Sequence, residues 1–217
     1  MSESVLVVAP HPDDEAIGCG GMICLHRKRG DPVHVVFLTS GEKGIPRRRA
    51  EKVRAIREAE AVKAGKILKV NEIHFLHLPD LGLHHHIEQG AAALHQQMAA
   101  QRPDLIYLPH PEDGHLDHAT VFPIICAARA RLAGSRKLPQ LRGFEVWSPM
   151  TRYEWVEDIS AVMPRKLRAI RCYRSQLEVF RYDLAVRGLN QYRGILGGAC
   201  RFAEAFTYLH ALRPERS

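Results

Sequence analysis

The chain has 217 residues, 46% of them hydrophobic and 25% charged, with a formal net charge of +7. That length suits one sizeable α/β domain and is short for two, so residues 1–217 are read as one domain, and the composition excludes a disordered chain. Lysine and arginine exceed acidic residues by 31 to 24, but the surplus falls in segments patterned as amphipathic helices, and no stacking motif or recognition fold accompanies it; nucleic acid is not an expected partner, whereas anionic small molecules would be attracted.

At the N-terminus, Met1 to Ser4 lack a basic leader, and the apolar run from Val5 ends at once in His11-Pro12-Asp13-Asp14-Glu15. This resembles neither a signal peptide nor a membrane span, so a cytoplasmic location with no membrane partner is expected. The five cysteines are odd in number and form no CxxC pair, which suggests neither a disulfide framework nor a thiolate zinc site.

Short apolar runs follow in order: Ser4 to Ala9, Val33 to Thr39, Ile73 to Leu78, Leu105 to Pro109 and Phe144 to Trp147. Between the first four and after the fourth lie helical patterns at Ala16 to Arg29, Arg47 to Leu68, Ile87 to Gln101 and His118 to Ala133. This alternation predicts a Rossmann-like, doubly wound and mostly parallel α/β sheet with its first strand central. After Pro149 the pattern changes to a short strand at Tyr153 to Ile159, a helix from Pro164 to about Leu177, a glycine-punctuated irregular extension, and a final segment at Arg201 to Leu209. The tail from Arg213 is expected to fray.

Two motifs carry chemistry. His11-Pro12-Asp13-Asp14-Glu15 stands where strand 1 gives way to helix 1, the place where open α/β sheets bind ligands. The turn offers an imidazole and three carboxylates instead of the glycine-rich loop of a nucleotide site, which disfavours a dinucleotide-dependent oxidoreductase. His11 and Asp14 could supply two ligands to Zn²⁺, leaving Asp13 free as a base; a polar turn capping helix 1 is the plainer account of the same residues. His110-Pro111-Glu112-Asp113-Gly114-His115-Leu116-Asp117-His118 follows strand 4, and strands 1 and 4 are neighbours across the switch point. One of His115 and His118 could bind metal while the other assists catalysis, with Asp117 fixing a tautomer or tuning a pKa.

Other signals are weaker. Gly18-Cys19-Gly20-Gly21 lies inside helix 1, so close packing on the sheet explains it better than a phosphate loop. Asp80 follows strand 3 and could bond a sugar hydroxyl or simply shape a turn. His84-His85-His86 reads as a solvated loop, because adjacent residues seldom converge on one ion. Tyr192 and Arg193 could close over the site as a lid, or be interface or core residues.

Together these residues resemble the PIG-L/LmbE-like zinc N-deacetylases. The resemblance rests on Ala9-Pro10-His11-Pro12-Asp13-Asp14-Glu15 and His115-Leu116-Asp117-His118, on Leu38-Thr39-Ser40-Gly41-Glu42, and on Arg57-Glu58-Ala59-Glu60-Ala61. Lys166 with Ser175-Gln176, and Ala203-Glu204-Ala205-Phe206, are most similar to the bacillithiol-type N-acetylglucosaminyl-malate deacetylase branch. The resemblance implies His11, Asp14 and His118 as ligands of one zinc or another divalent ion, Asp13 as general base, and His115 as oxyanion stabiliser. It also implies Arg57 as a substrate-binding residue, an N-acetylglucosaminyl-type small-molecule substrate, and a homo-oligomer. One departure, Ile45-Pro46-Arg47-Arg48-Arg49 where relatives carry a small or glycine-rich turn, bears on substrate identity. The alternatives are an amidase acting on a thiol conjugate or on an antibiotic or glycopeptide amine, and a non-catalytic metal-binding protein.

Overall fold

The computed structural model describes residues 2–132 and 138–210. Among these residues, seven strands form one sheet: β1 (Val5–Ala9), β2 (Val33–Phe37), β3 (Glu72–Phe75), β4 (Leu105–Pro109), β5 (Gln140–Phe144), β6 (Trp155–Asp158) and β7 (Ala203–Leu209). The helices are α1 (Asp14–Arg29), α2 (Ala50–Leu68), α3 (Ile87–Gln101), α4 (Leu116–Ala130), α5 (Met163–Ile170), α6 (Arg174–Leu177) and α7 (Tyr182–Arg193). The strand order is β3-β2-β1-β4-β5-β7-β6; the first five strands in sequence are parallel, and β7 runs antiparallel to both β5 and β6.

The sheet is covered on both faces, which is why β1 is buried at every position and reads as a continuous apolar run. Val5, Val7 and Ala9 face α1, α2 and α5, while Leu6 and Val8 face α3 and α4. The chain reverses its strand order beside β1, so the loops after β1 and β4 open onto one crevice.

The C-terminal part is more regular than the glycine spacing suggests. Within the stretch expected to be irregular, residues 182–193 form α7, and a π-helical turn follows at Gly194–Gly198. The helix expected from Pro164 to Leu177 is broken after Ile170, where Tyr173 turns inward and its hydroxyl meets Glu15 Oε1 at 2.5 Å. The fifth strand ends at Phe144, the first residue of the apolar run Phe144 to Trp147, because Val146 and Trp147 line a cavity instead of pairing in the sheet. The expected end of the fourth helix at Ala133 and the tail from Arg213 lie outside the described residues. Among the described residues no helix is long and apolar enough to cross a membrane.

Helix α1 carries the first motif and is locked by close contacts. A Cβ on Gly18 would stand 2.1 Å from the Phe144 ring, so only glycine lets α1 approach β5 there. At Cys19 the backbone leaves helical geometry (φ −134°, ψ 23°). Beyond this kink the Gly21 and Met22 N–H groups donate to Glu204 at 2.7 and 2.8 Å. Lys166, fully buried, donates to the same carboxylate at 2.6 Å and to Asn190 Oδ1 at 2.8 Å. Lys166→Met would leave the buried Glu204 charge without its cation and should cost about 3–5 kcal/mol in denaturant unfolding. Adding Glu204→Gln to that variant should recover part of the loss, and strict additivity of the two changes would show that they do not act as a pair.

Candidate active site and metal centre

Four segments meet at the carboxyl end of the sheet: the β1–α1 turn, the loop after β2, the loop after β3, and the β4–α4 loop with the start of α4. His11, Asp14 and His118 are all buried, and each offers a donor atom such that these atoms lie within 4.8 Å of one another. Asp14 Oδ2 stands 3.2 Å from His11 Nδ1 and 3.5 Å from His118 Nε2. Those separations match the edge of a tetrahedron with metal–ligand bonds of about 2.0–2.1 Å, roughly 3.4 Å, so the three residues fit a metal ion of zinc's size.

The far side of each imidazole is backed by acid. His11 Nε2 lies 3.2 Å from Asp80 Oδ1 and 3.3 Å from Asp117 Oδ2, and His118 Nδ1 lies 3.3 Å from Asp113 Oδ1. Carboxylates in that position orient a ligating histidine and raise its basicity. Burial opposes charge on His11, yet Asp117, Asp14 and Asp80 raise its pKa well above the ordinary imidazole value, marking the spot as one that stabilises a cation. Burial likewise works against ionisation of Asp14, but His118 and His11 hold its carboxyl far below the usual range.

Two other groupings of ligand-type residues occur among the described residues. His11, His115 and Asp117 are close enough to share an ion, but Asp117 already accepts from the Leu81 and Leu83 N–H groups at 2.8 and 3.1 Å. Glu3, His26 and Asp31 form the other, where both ring nitrogens of His26 are taken by Asp31 at 2.7 Å and Tyr107 at 3.1 Å. The His84-His85-His86 run forms a 3-10 turn at Leu83–His85 and does not line the crevice.

Asp13 has φ 129°, a region that costs a non-glycine residue about 1–3 kcal/mol and is held only by surrounding structure. Here Glu15 Oε2 accepts from its N–H at 3.1 Å, and the Arg57 guanidinium lies 3.2 Å from its carboxylate. Burial pushes the Asp13 carboxyl up to about 7, with Arg57 pulling against it. Burial also pushes Glu15 up to about 8, against the hydrogen bond with Tyr173. His115 Nδ1 accepts from the Asp117 N–H at 3.2 Å, so the neutral ring carries its proton on Nε2 as a donor. Burial first, then the neighbouring His11 and His118, lowers the His115 pKa and favours that neutral form.

Arg57 and Asp80, expected to meet the substrate, line the crevice but are committed to protein groups. Arg57 donates to Pro12 O at 2.6 Å and Gly41 O at 3.0 Å, and Gly41 has φ 60° with no room for a Cβ, which would stand 2.1 Å from the guanidinium. Asp80 accepts from the Lys43 N–H at 2.8 Å through the oxygen that does not face His11. Tyr192 is exposed, whereas Arg193 is buried against Glu145 and the Met150 carbonyl; neither lines the crevice as a lid.

The PIG-L family, described as GlcNAc-PI de-N-acetylase, matches residues 6–129, more than half of the chain and all of both motifs. The chain belongs to the PIG-L family. Among the relatives of this PIG-L chain is a probable N-acetyl-alpha-D-glucosaminyl L-malate deacetylase 2 of Bacillus subtilis, 31% identical over 82% of this chain and 85% of the relative. The diacetylchitobiose deacetylase of Thermococcus kodakarensis is 29% identical over 95% of this chain and 83% of its own. Among solved structures, a conserved protein of Thermus thermophilus superposes with a TM-score of 0.83 at 29% identity, covering 98% of this chain and 97% of its own.

Several groups in this PIG-L site were not singled out from the sequence. Asp113 backs His118 and also accepts from the Trp147 and Ser148 N–H groups at 2.9 and 3.2 Å, tying the β4 and β5 loops together. Glu60 accepts from Ser175 N and Oγ at 2.9 and 2.6 Å, which places the neighbouring Gln176 at the crevice wall. The acidic run at 112–113 is a signal for Asp113, but the Trp147 and Ser148 N–H groups that it ties down lie on a loop more than thirty residues on. Nothing in the sequence pointed to Trp147, Phe180 and Tyr182 as a wall of the site.

Proposed function

We propose that this chain is a zinc-dependent N-deacetylase of N-acetylglucosaminyl-type small molecules, with His11, Asp14 and His118 holding the metal. The observation that carries the reading is the set of three buried donor atoms within 4.8 Å of one another, in a crevice that also presents Asp13 and His115. Two imidazoles and one carboxylate are a donor set that suits zinc and leaves a fourth position open. Residues 1–217 act as one domain in this reading, supported by the C-terminal strands joining the same sheet and by Glu204 bracing α1.

When bound, zinc supplies the Lewis acidity that polarises the amide carbonyl and makes water nucleophilic near neutral pH. Asp13 takes a proton from the attacking water as its oxygen bonds to the acyl carbon. His115, with its proton on Nε2, donates a hydrogen bond to the oxyanion that forms. The carbon–nitrogen bond then breaks, the amine leaves with a proton delivered from the Asp13 and His115 side, and the acyl group departs as a carboxylate. Asp117 and Asp80 hold His11, and Asp113 holds His118.

Arg57 acts on Asp13 in this scheme as a positioning residue, since its fork bridges Pro12, Gly41 and the Asp13 carboxylate. Arg57→Lys cannot span those contacts and should lower turnover by about 10- to 100-fold with zinc retained, the range for loss of an outer partner. Equal kinetics in parent and variant would remove Arg57 from the mechanism.

The overall reading is tested by incubating the zinc-loaded protein with N-acetylglucosaminides that carry neutral and acidic aglycones and measuring free amine. Release from one group, abolished by a chelator and restored by zinc, is the expected result. Absence of amine from every member, with stoichiometric metal bound, would sink the deacetylase reading.

A further inference from the structure

The crevice at the metal residues encloses about 200 Å³, below the roughly 300 Å³ at which pockets for small molecules usually begin. A second cavity of about 310 Å³ adjoins it, and Ile17, Val146, Trp147 and Tyr182 line both. Beyond that shared wall, Pro149, Ala185, Val186 and Leu189 form apolar sides.

The carboxylates around the second cavity are already engaged. Glu145 pairs with Arg193 and accepts from the Met150 N–H at 2.7 Å. The Asn190 carbonyl accepts from Lys166, and the Glu204 carboxylate takes Lys166 and two backbone N–H groups. No charge lining the cavity is left for a charged ligand, so what favours occupancy is transfer of apolar surface from water.

The wall itself is aromatic and open. Trp147 is 51% exposed and Phe180 52%, although both are large apolar side chains. The Trp147 ring meets Phe180 at 5.9 Å and 87° and Tyr182 at 6.2 Å and 60°, edge-to-face arrangements that leave ring surface free at the junction. A contiguous exposed aromatic group beside a crevice marks a binding surface.

We infer that the second cavity receives an apolar aglycone, an alkyl or aryl group carried on the glycosidic oxygen of the amino sugar, passing over Trp147 and Tyr182. The inference rests on the deacetylase reading above. An acetyl group ends two carbons from the amide nitrogen, beside the metal residues. The part of the substrate that reaches past the aromatic wall is therefore borne by the sugar.

The test uses methyl, butyl, hexyl and octyl N-acetylglucosaminides with the zinc-loaded protein. kcat/KM should rise by about two- to fourfold per methylene, chiefly through KM, the upper figure being the conversion of about 0.8 kcal/mol per buried methylene. Ala185→Trp fills the cavity from an exposed position on α7 outside the metal and proton-transfer groups. It should leave the methyl glycoside unchanged and flatten the series. Equal slopes in parent and variant would overturn the inference, as would a rise that follows N-acyl length at constant methyl aglycone. Calorimetric titration with the octyl glycoside separates the two readings if no member releases amine. Binding with a negative heat-capacity change, lost in Ala185→Trp, supports the cavity even when the deacetylase reading fails; no difference between octyl and methyl glycosides sinks the inference by itself.

Discussion

Asp13→Asn should keep its metal and lose about 10² to 10⁴ in turnover, the range for removal of a general base. Asparagine preserves the shape of the side chain beside Arg57, but it cannot take a proton from water. Burial pushes the Asp13 carboxyl up to about 7, and a cation bound beside it draws that value down. A base must be ionised to act, so the parent's rate should be full above the folded pKa of Asp13 and fall as pH drops through it. The variant's residual rate should lack that acidic limb. Metal content by atomic absorption and a pH–rate profile check both parts. A variant nearly as active as the parent would assign activation of the water to another group.

The second large effect belongs to the metal residues. His118→Ala removes one of three donors from a set with only one further position open, and should weaken zinc affinity by more than the 10- to 100-fold that loss of an outer partner costs. Asp113→Asn gives the outer-partner comparison on the same histidine, because Asp113 Oδ1 sits 3.3 Å from His118 Nδ1. Chelator competition should rank parent, Asp113→Asn and His118→Ala in falling affinity, with circular dichroism confirming that each remains folded. Stoichiometric, tightly held zinc in His118→Ala would show that the ion is held by other donors, of which His11, His115 and Asp117 are the nearest set.

The sheet was legible because its signals are local. Both faces of β1 and β4 are covered, so both strands read as unbroken apolar runs, and α3 shows its period cleanly enough that its bounds, Ile87–Gln101, agree with the expectation. Residues 182–193 were harder: Gly188 interrupts the helical pattern, and the helix gains its stability from packing Val186 into the core and burying Asn190 against Lys166. The apolar run at Phe144 to Trp147 reads as a strand although only Phe144 pairs in β5, for a related reason. Apolar residues that line a cavity and those that pair in a sheet look alike in one dimension.

By itself, the sequence determined the doubly wound sheet, the crevice at its switch point, and the chemical types gathered there, because strand and helix periodicities and two short motifs are written in neighbouring residues. Tertiary structure alone decided which nitrogens of His11 and His118 are backed by acid, that Arg57 and Asp80 bond protein groups, and that the crevice and a second cavity share an aromatic wall. Those relations join residues far apart in the chain, as His11 meets Asp117 and Tyr173 meets Glu15. A hydrogen bond a few ångströms long is set by the packing of whole helices on the sheet, and spacing along the chain carries no measure of that distance.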